Sequence, residues 1–322
     1  MTGNEAVNKA GNEAENAAAN ENTRSTVRFG QYAPASRVIV HLSDPHLLAD
    51  GKRLYDALDV EANLLQALDQ VERMGIVPDA LVFTGDLTDL GEPDAYRRLR
   101  AHVEPAAARI GAPIVWLMGN HDERAVMRTE LLGLAASDEP IDGVWDFGGL
   151  RLIGLDSTVP GWHHGELTDA QLDWLRSILA TPAPLGTIVA MHHPPVPSPM
   201  PFFDILELRE QDRFAEVLRG SDVRAILGGH LHYSTSGTFA GIPVSVASAT
   251  CYSMNLSLPP YEVNGMFGGQ SFNLVHVYED GITHSVVPLG DHQTAATFSA
   301  EFVERMAALT PEERLEAFSR KR

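Results

Sequence analysis

The sequence predicts a layered α/β fold, and three observations lead to it. Short aliphatic runs of strand length recur along most of the 322 residues and show little polar alternation, as in strands covered on both faces. Stretches with helical spacing separate them. Hydrophobic residues make up 44 % of the chain, enough to build a core between layers.

Residues 1–35 come first and stand apart. They are polar and carry a short repeat, Gly3-Asn4-Glu5-Ala6 recurring as Gly11-Asn12-Glu13-Ala14. Such text is too poor in apolar residues to pack and has no signal-peptide core, so it reads as a disordered tail. The expected domain covers residues 36–290. Strands are predicted at 38–43, 80–84, 113–118, 151–155, 187–191 and 223–227. Helices are predicted at 54–74, 169–179 and 204–218, the second opening on a Thr168/Gln171 capping box. Past Gly229 the pattern changes to short strands at 243–247, 272–278 and 283–289, expected to complete a second sheet. Residues 291–322 read as a helical extension, with Thr310-Pro311 as a helix start.

The polar residues that follow the strand runs are the informative ones. The successive runs end in Asp44-Pro45-His46, Gly85-Asp86, Gly119-Asn120-His121-Asp122, His192-His193 and Gly229-His230-Leu231-His232. In an α/β sheet the carboxyl ends of strands share an edge, and ligands bind there. Asp44, His46, Asp86, Asn120, His192, His230 and His232 are seven donors of mixed carboxylate, amide and imidazole type. That mixture suits zinc, manganese or iron, and two ions sharing a carboxylate would use seven donors well. Glycines beside Asp86, Asn120 and His230 allow close backbone approach. Asp-x-His or His-x-His alone carries almost no information; all five motifs in this order do.

Together, Asp44-x-His46, Gly85-Asp86, Gly119-Asn120-His121-Asp122, His192 and Gly229-His230-x-His232 resemble the calcineurin-like metallophosphoesterase superfamily over residues 37–290. The flanking text is most similar to the bacterial class III 3′,5′-cyclic-nucleotide phosphodiesterases. Leu90 and Asp122 stand where the superfamily's protein Ser/Thr phosphatases carry Arg and Glu, which argues against that branch. The resemblance implies a four-layer α/β/β/α sandwich with two metal ions. Asp44, His46, Asp86 and His232 would hold one ion. Asp86, Asn120, His192 and His230 would hold the other, with Asp86 bridging. A hydroxide between the ions would attack phosphorus, His121 would face the leaving oxygen, and Asp122 would orient His121. The implied substrate is a small cyclic nucleotide, cAMP first. A broader phosphodiesterase acting on other nucleotides, lipid-linked diphosphates or nucleic acid is the alternative. A scaffold that had lost catalysis would lack ligands, and none is missing.

Composition narrows the rest. Against 24 Lys and Arg stand 43 Asp and Glu, a formal charge of −19, which disfavours nucleic acid as partner. One cysteine, Cys251, excludes an intrachain disulfide and reads as a buried thiol. No apolar run is long enough to span a membrane. The expectation is a cytoplasmic enzyme, dimeric by family resemblance. His41 and His276 read as core residues. Asp89 and His193 are either partners of the ligands or mere neighbours. Residues 194–203 form an apolar loop whose Phe202 and Phe203 either stack a base or cover an interface.

Overall fold

The computed structural model describes residues 29–259 and 261–321. Most of the predicted tail, residues 1–28, lies outside the described residues. The aliphatic runs form the strands. β1 (Arg37–Leu42), β2 (Ala80–Thr84) and β3 (Ile114–Leu117) pair in parallel. β4 (Gly143–Phe147) forms an antiparallel pair with β5 (Leu150–Leu155), and β6 (Thr187–Met191) and β7 (Val223–Gly228) continue from β5 in parallel. The sheet is completed by β8 (Thr235–Phe239) and β9 (Ile242–Val246), and a small ribbon pairs β10 (Ser253–Met254) with β11 (Gly265–Met266).

The later strands depart from the sequence expectation. β9 does join the second sheet, but β12 (Ser271–Val277) and β13 (Ile282–Pro288) do not. β12 runs antiparallel along β1, with His41 opposite Asn273, so both strands extend the first sheet. The result is a five-stranded sheet ordered β13-β12-β1-β2-β3 and a six-stranded sheet ordered β4-β5-β6-β7-β9-β8.

Helices cover the two outer faces. On the first sheet lie α1 (Val60–Arg73) and α2 (Pro93–Ile110), burying Leu64, Leu68, Tyr96 and Leu99 against Val40, Leu81 and Phe83. α3 (Arg124–Glu130) adds Met127 to the same core. On the second sheet lie α4 (Asp169–Leu179) and α5 (Gln211–Leu218), burying Leu172, Leu175 and Phe214 against Val189 and Ile226. Between the sheets Ile39, Val82 and Val275 meet Leu152, Ile188 and Leu227. Each such side chain, buried from water, contributes about 1.5–3 kcal/mol. Four layers, α/β/β/α, are therefore present as expected.

Two helices are shorter than their periodicity suggests. The stretch from residue 54 becomes α1 only at Val60, because the Asp59 carboxylate caps it by accepting from the Ala62 N–H at 3.0 Å. Leu54 and Leu58 instead close a tight loop through positive φ at Tyr55 and Asp56. The stretch 204–218 breaks at Glu210, φ 50°, into a 3-10 turn at Pro201–Ile205 and α5. α4 begins where its capping box places it, with Thr168 and Gln171 each bonded to the other's backbone. Such a cap contributes about 1 kcal/mol. Beyond β13, helices form at α6 (Ala300–Ala307) and Pro311–Arg314, and Arg314 lies over the Phe29 ring at 4.9 Å. Among the described residues no helix is long and apolar enough to cross a membrane.

Candidate metal centre

The centre forms where strands of both sheets end, rather than along the edge of one. β1, β2 and β3 deliver Asp44 and His46, Asp86, and Asn120 from the first sheet; β6 and β7 deliver His192, His230 and His232 from the second. Five of these seven, Asp44, His46, Asp86, His230 and His232, have φ between 46° and 70°. Non-glycine residues rarely adopt that conformation, and it persists only where surrounding bonds enforce it. Here the loops bind one another. The Asp44 N–H donates to Gly85 O at 3.1 Å, His46 N–H to Asp86 O at 3.0 Å and Gly229 N–H to His192 O at 3.0 Å. Packing between loops also requires glycine: a Cβ on Gly119 would lie 2.0 Å from Asp86 N, and one on Gly229 2.0 Å from Ser43 Oγ.

Hydrogen bonds behind the rings fix which nitrogen faces the centre. His46 Nδ1 meets the Asp89 carboxylate at 3.0 Å and His192 Nδ1 meets Thr84 O at 2.7 Å. In the neutral rings both therefore present an Nε2 lone pair. His230 is reversed: its Nε2 donates to Leu206 O at 3.1 Å, which leaves Nδ1 inward. Asn120 is held by its Nδ2, which donates to His163 Nδ1 at 2.9 Å, and so turns Oδ1 inward.

These acceptors converge in two sets. Asp44, His46, Asp86 and His232 offer donor atoms all within 4.8 Å of one another. His46 Nε2 lies 3.2 Å from His232 Nε2 and 3.4 Å from Asp86 Oδ2, and Asp44 Oδ1 lies 3.4 Å from His232 Nε2. In the second set His192 Nε2 lies 3.0 Å from Asn120 Oδ1, 3.2 Å from His230 Nδ1 and 3.3 Å from the same Asp86 Oδ2. At these distances the facing atoms need positive charge between them, from ring protons or from bound cations, and the donor set fits a pair of ions. Asp86 Oδ2 faces both sets, while its Oδ1 accepts the His121 N–H at 2.9 Å.

Electrostatics agree. Burial raises the pKa of Asp86, yet His192 and His121, followed by His46, hold it well below the usual carboxylate range. Burial opposes charge on His192, but Asp86 and Asp44 draw it up to about 9. His46 is also raised, burial again opposing and Asp86 and Asp89 prevailing. Without ions, protons on these rings supply the positive charge the carboxylates demand. His230 goes the other way: burial, then His193 and His192, hold its pKa well down.

The residues around the seven sort themselves by contact. His121 donates from Nδ1 to Asp89 O at 2.8 Å, leaving Nε2 free, and its ring lies 5.0 Å from that of His163. The expected contact from Asp122 to His121 gives way to this one. Asp122 accepts instead from the N–H groups of Leu87, Thr88 and Gly119 and the hydroxyls of Thr88 and Tyr96. Adjacent residues in this turn point apart, so Asp122 ties the Asp86 loop to the Asn120 loop and Asp89 orients His121. His193 has donor atoms within 4.8 Å of those of His192 and His230, but its Nδ1 meets Ser157 Oγ at 2.8 Å and its Nε2 meets His163 O at 3.2 Å, and its ring packs on His230. His41 is a core residue as expected, bonded to Thr84 Oγ1 at 2.9 Å. His276 is only partly buried. Phe203 is buried against His230, a packing role, while Phe202 stays exposed.

A cavity of about 440 Å³ opens beside Asn120 and His121. Its walls include Leu90, Trp162, His163, Asp138 and Arg124. Arg124 is already engaged by Asp156 at 2.9 Å, which also shows Asp156 in a structural pairing.

The profile of the calcineurin-like phosphoesterase family matches residues 37–234, and the chain belongs to that family. It is 58 % identical over 269 residues to a probable cyclic nucleotide phosphodiesterase of Rhodococcus erythropolis, covering 84 % of this chain and 89 % of that one. It is 54 % identical over 272 residues to a cAMP/cGMP dual specificity phosphodiesterase of Mycobacterium tuberculosis, covering 84 % of this chain and 86 % of the relative. Among solved structures it resembles a dimetal phosphatase from Danio rerio, with a TM-score of 0.57 and 17 % identity over 79 % of this chain and 96 % of the other, a likeness of fold.

Proposed function

We propose that the chain hydrolyses 3′,5′-cyclic nucleotides, cAMP foremost, to 5′-monophosphates. The observation that carries this reading is the single Asp86 oxygen facing two convergent donor sets, with His121 between them and the cavity. Both close relatives bear cyclic-nucleotide phosphodiesterase names. When bound, two ions would supply Lewis acidity and a nucleophile at neutral pH. Asp44, His46, Asp86 and His232 would hold one, and Asp86, Asn120, His192 and His230 the other; the donor chemistry suits iron, manganese or zinc.

The chain's own residues do the rest. His121, in the form protonated on both nitrogens, keeps its Nδ1–H on Asp89 O and passes its Nε2 proton to the 3′ oxygen as the P–O3′ bond breaks, ending as the neutral ring. Asp89 holds both His121 and the ligand His46 from behind. Asp122 keeps the two loops in register. Asp89, Glu123 and Asp138 make the cavity lining acidic, which favours a small monoanion over a nucleic acid chain. The working context we assign is the cytoplasm, with a second copy of the chain as partner, both on the strength of the family resemblance.

Turnover of cAMP, cGMP and linear diesters by the metal-reconstituted protein tests the substrate class. Release of 5′-AMP from cAMP at a higher kcat/KM than from any linear diester is expected. The reverse order would favour the broader phosphodiesterase. Asn120→Ala should weaken one ion selectively. Its turnover should fall by more than ~10-fold at low metal and recover in part when metal is added, because three donors remain at that site.

A further inference from the structure

Three of the four imidazoles in the centre are fixed from behind by oxygen: His46 by Asp89, His192 by Thr84 and His230 by Leu206. His232 differs. Its Nδ1 meets a thiol, with Cys251 Sγ at 3.6 Å. That sulfur is fully buried, packed with Leu48, Leu54, Leu58 and Ala249.

The loop carrying it is fastened to the strand end that supplies two ligands. Thr250 N–H donates to Ser43 O at 3.0 Å and Cys251 N–H to Asp44 O at 3.3 Å, while Asn63 Nδ2 donates to Cys251 O at 2.8 Å. The Tyr252 ring lies 4.5 Å from that of His232, and its hydroxyl meets that of Tyr55 at 3.4 Å. Backbone bonds thus tie the loop that carries the sulfur to the loop that carries Asp44.

We propose that Cys251 is a positioning residue for the metal centre, its sulfur accepting the Nδ1 hydrogen of His232 and so aiming the Nε2 lone pair at Asp44 and His46. The inference rests on the two-ion reading above. The rival role is direct ligation, since donor atoms of His46, His232 and Cys251 also fit within 4.8 Å. Geometry favours positioning. His232 Nε2 already stands 3.4 Å from Asp44 Oδ1 and 3.2 Å from His46 Nε2, and the sulfur meets the other nitrogen. Sulfur is a weak acceptor, so His232 is the least firmly oriented ring of the four.

The test uses the full chain and three readouts. Cys251→Val keeps the apolar volume and removes the acceptor; Cys251→Ser keeps an acceptor. Zinc affinity by chelator competition should show one of two ions weakened ~10–100-fold in Cys251→Val, as for loss of a ligand's outer partner. Cys251→Ser should stay within about threefold of the parent, since the hydrogen bond survives. The melting temperature of the metal-free variants should separate this from packing. The cobalt-loaded parent should lack the intense sulfur-to-cobalt charge-transfer band of a thiolate ligand, a measurement that needs no variant to fold. Equal zinc affinity in the parent and Cys251→Val would overturn the proposal. So would a charge-transfer band in the parent, or equal weakening in both variants with matching loss of metal-free stability. If the parent binds no ions, the two-ion reading fails and this inference with it. If the parent binds two and Cys251→Val binds both as tightly, only the role of Cys251 falls.

Discussion

Asp86→Ala is expected to strip the protein of both ions. One Asp86 oxygen lies 3.4 Å from His46 Nε2 and 3.3 Å from His192 Nε2, so a single substitution opens both donor sets at once. The other oxygen anchors the His121 N–H, so the loop bearing Asn120 loosens as well. Loss of an outer partner alone costs ~10–100-fold, and removal of a shared direct ligand should exceed that. Turnover should therefore drop by well over ~100-fold. Unlike Asn120→Ala, it should not recover with added metal. Elemental analysis after reconstitution checks this. A variant that keeps one ion per chain and near-parental turnover would show that Asp86 does not bridge.

His121→Ala should separate chemistry from metal binding. His121 bonds to Asp89 O and offers its other nitrogen to the cavity, outside both donor sets. Both ions should remain bound while turnover of cAMP falls ~10²–10⁴-fold, the range for loss of a general acid. The loss should be smaller for a diester with a nitrophenolate leaving group, which needs little protonation, than for cAMP, whose 3′ alkoxide needs it. An equal loss on the two substrates, or loss of metal, would contradict the assignment. Comparing kcat on both substrates in parent and variant, with metal content measured on the same samples, decides it.

Most of the centre was legible in the sequence because its residues follow strand runs, and strands that pair in parallel bring their carboxyl ends together. All seven candidate ligands follow such runs, and the structure brings them into two sets. Their distribution over two sheets was not legible from the runs, because nothing in them says that pairing stops at β3 and that β5, β6 and β7 belong to another sheet. The orienting residues were legible only in part. Asp89 lies three residues past Asp86, but nothing in its spacing says that its carboxylate reaches His46 while its carbonyl holds His121. His163 sits in a loop whose course depends on contacts far along the chain. Adjacency to His121 in the sequence predicts a contact from Asp122, whereas the turn directs its carboxylate into a buried web of donors. α2 lies outside the helices the sequence predicts, although Pro93 at its first turn, Leu99, Val103 and Ile110 at helical spacing and Gly111 beyond its end are all readable signals. Pro105 in its interior hides the pattern.

The central claim is that one carboxylate oxygen serves two ions. Anomalous diffraction from crystals of the manganese-loaded protein tests it most directly. The account predicts two peaks per chain, one among Asp44, His46 and His232 and one among Asn120, His192 and His230, with Asp86 between them and touching both. A single peak, or two peaks with Asp86 turned away from either, would contradict it.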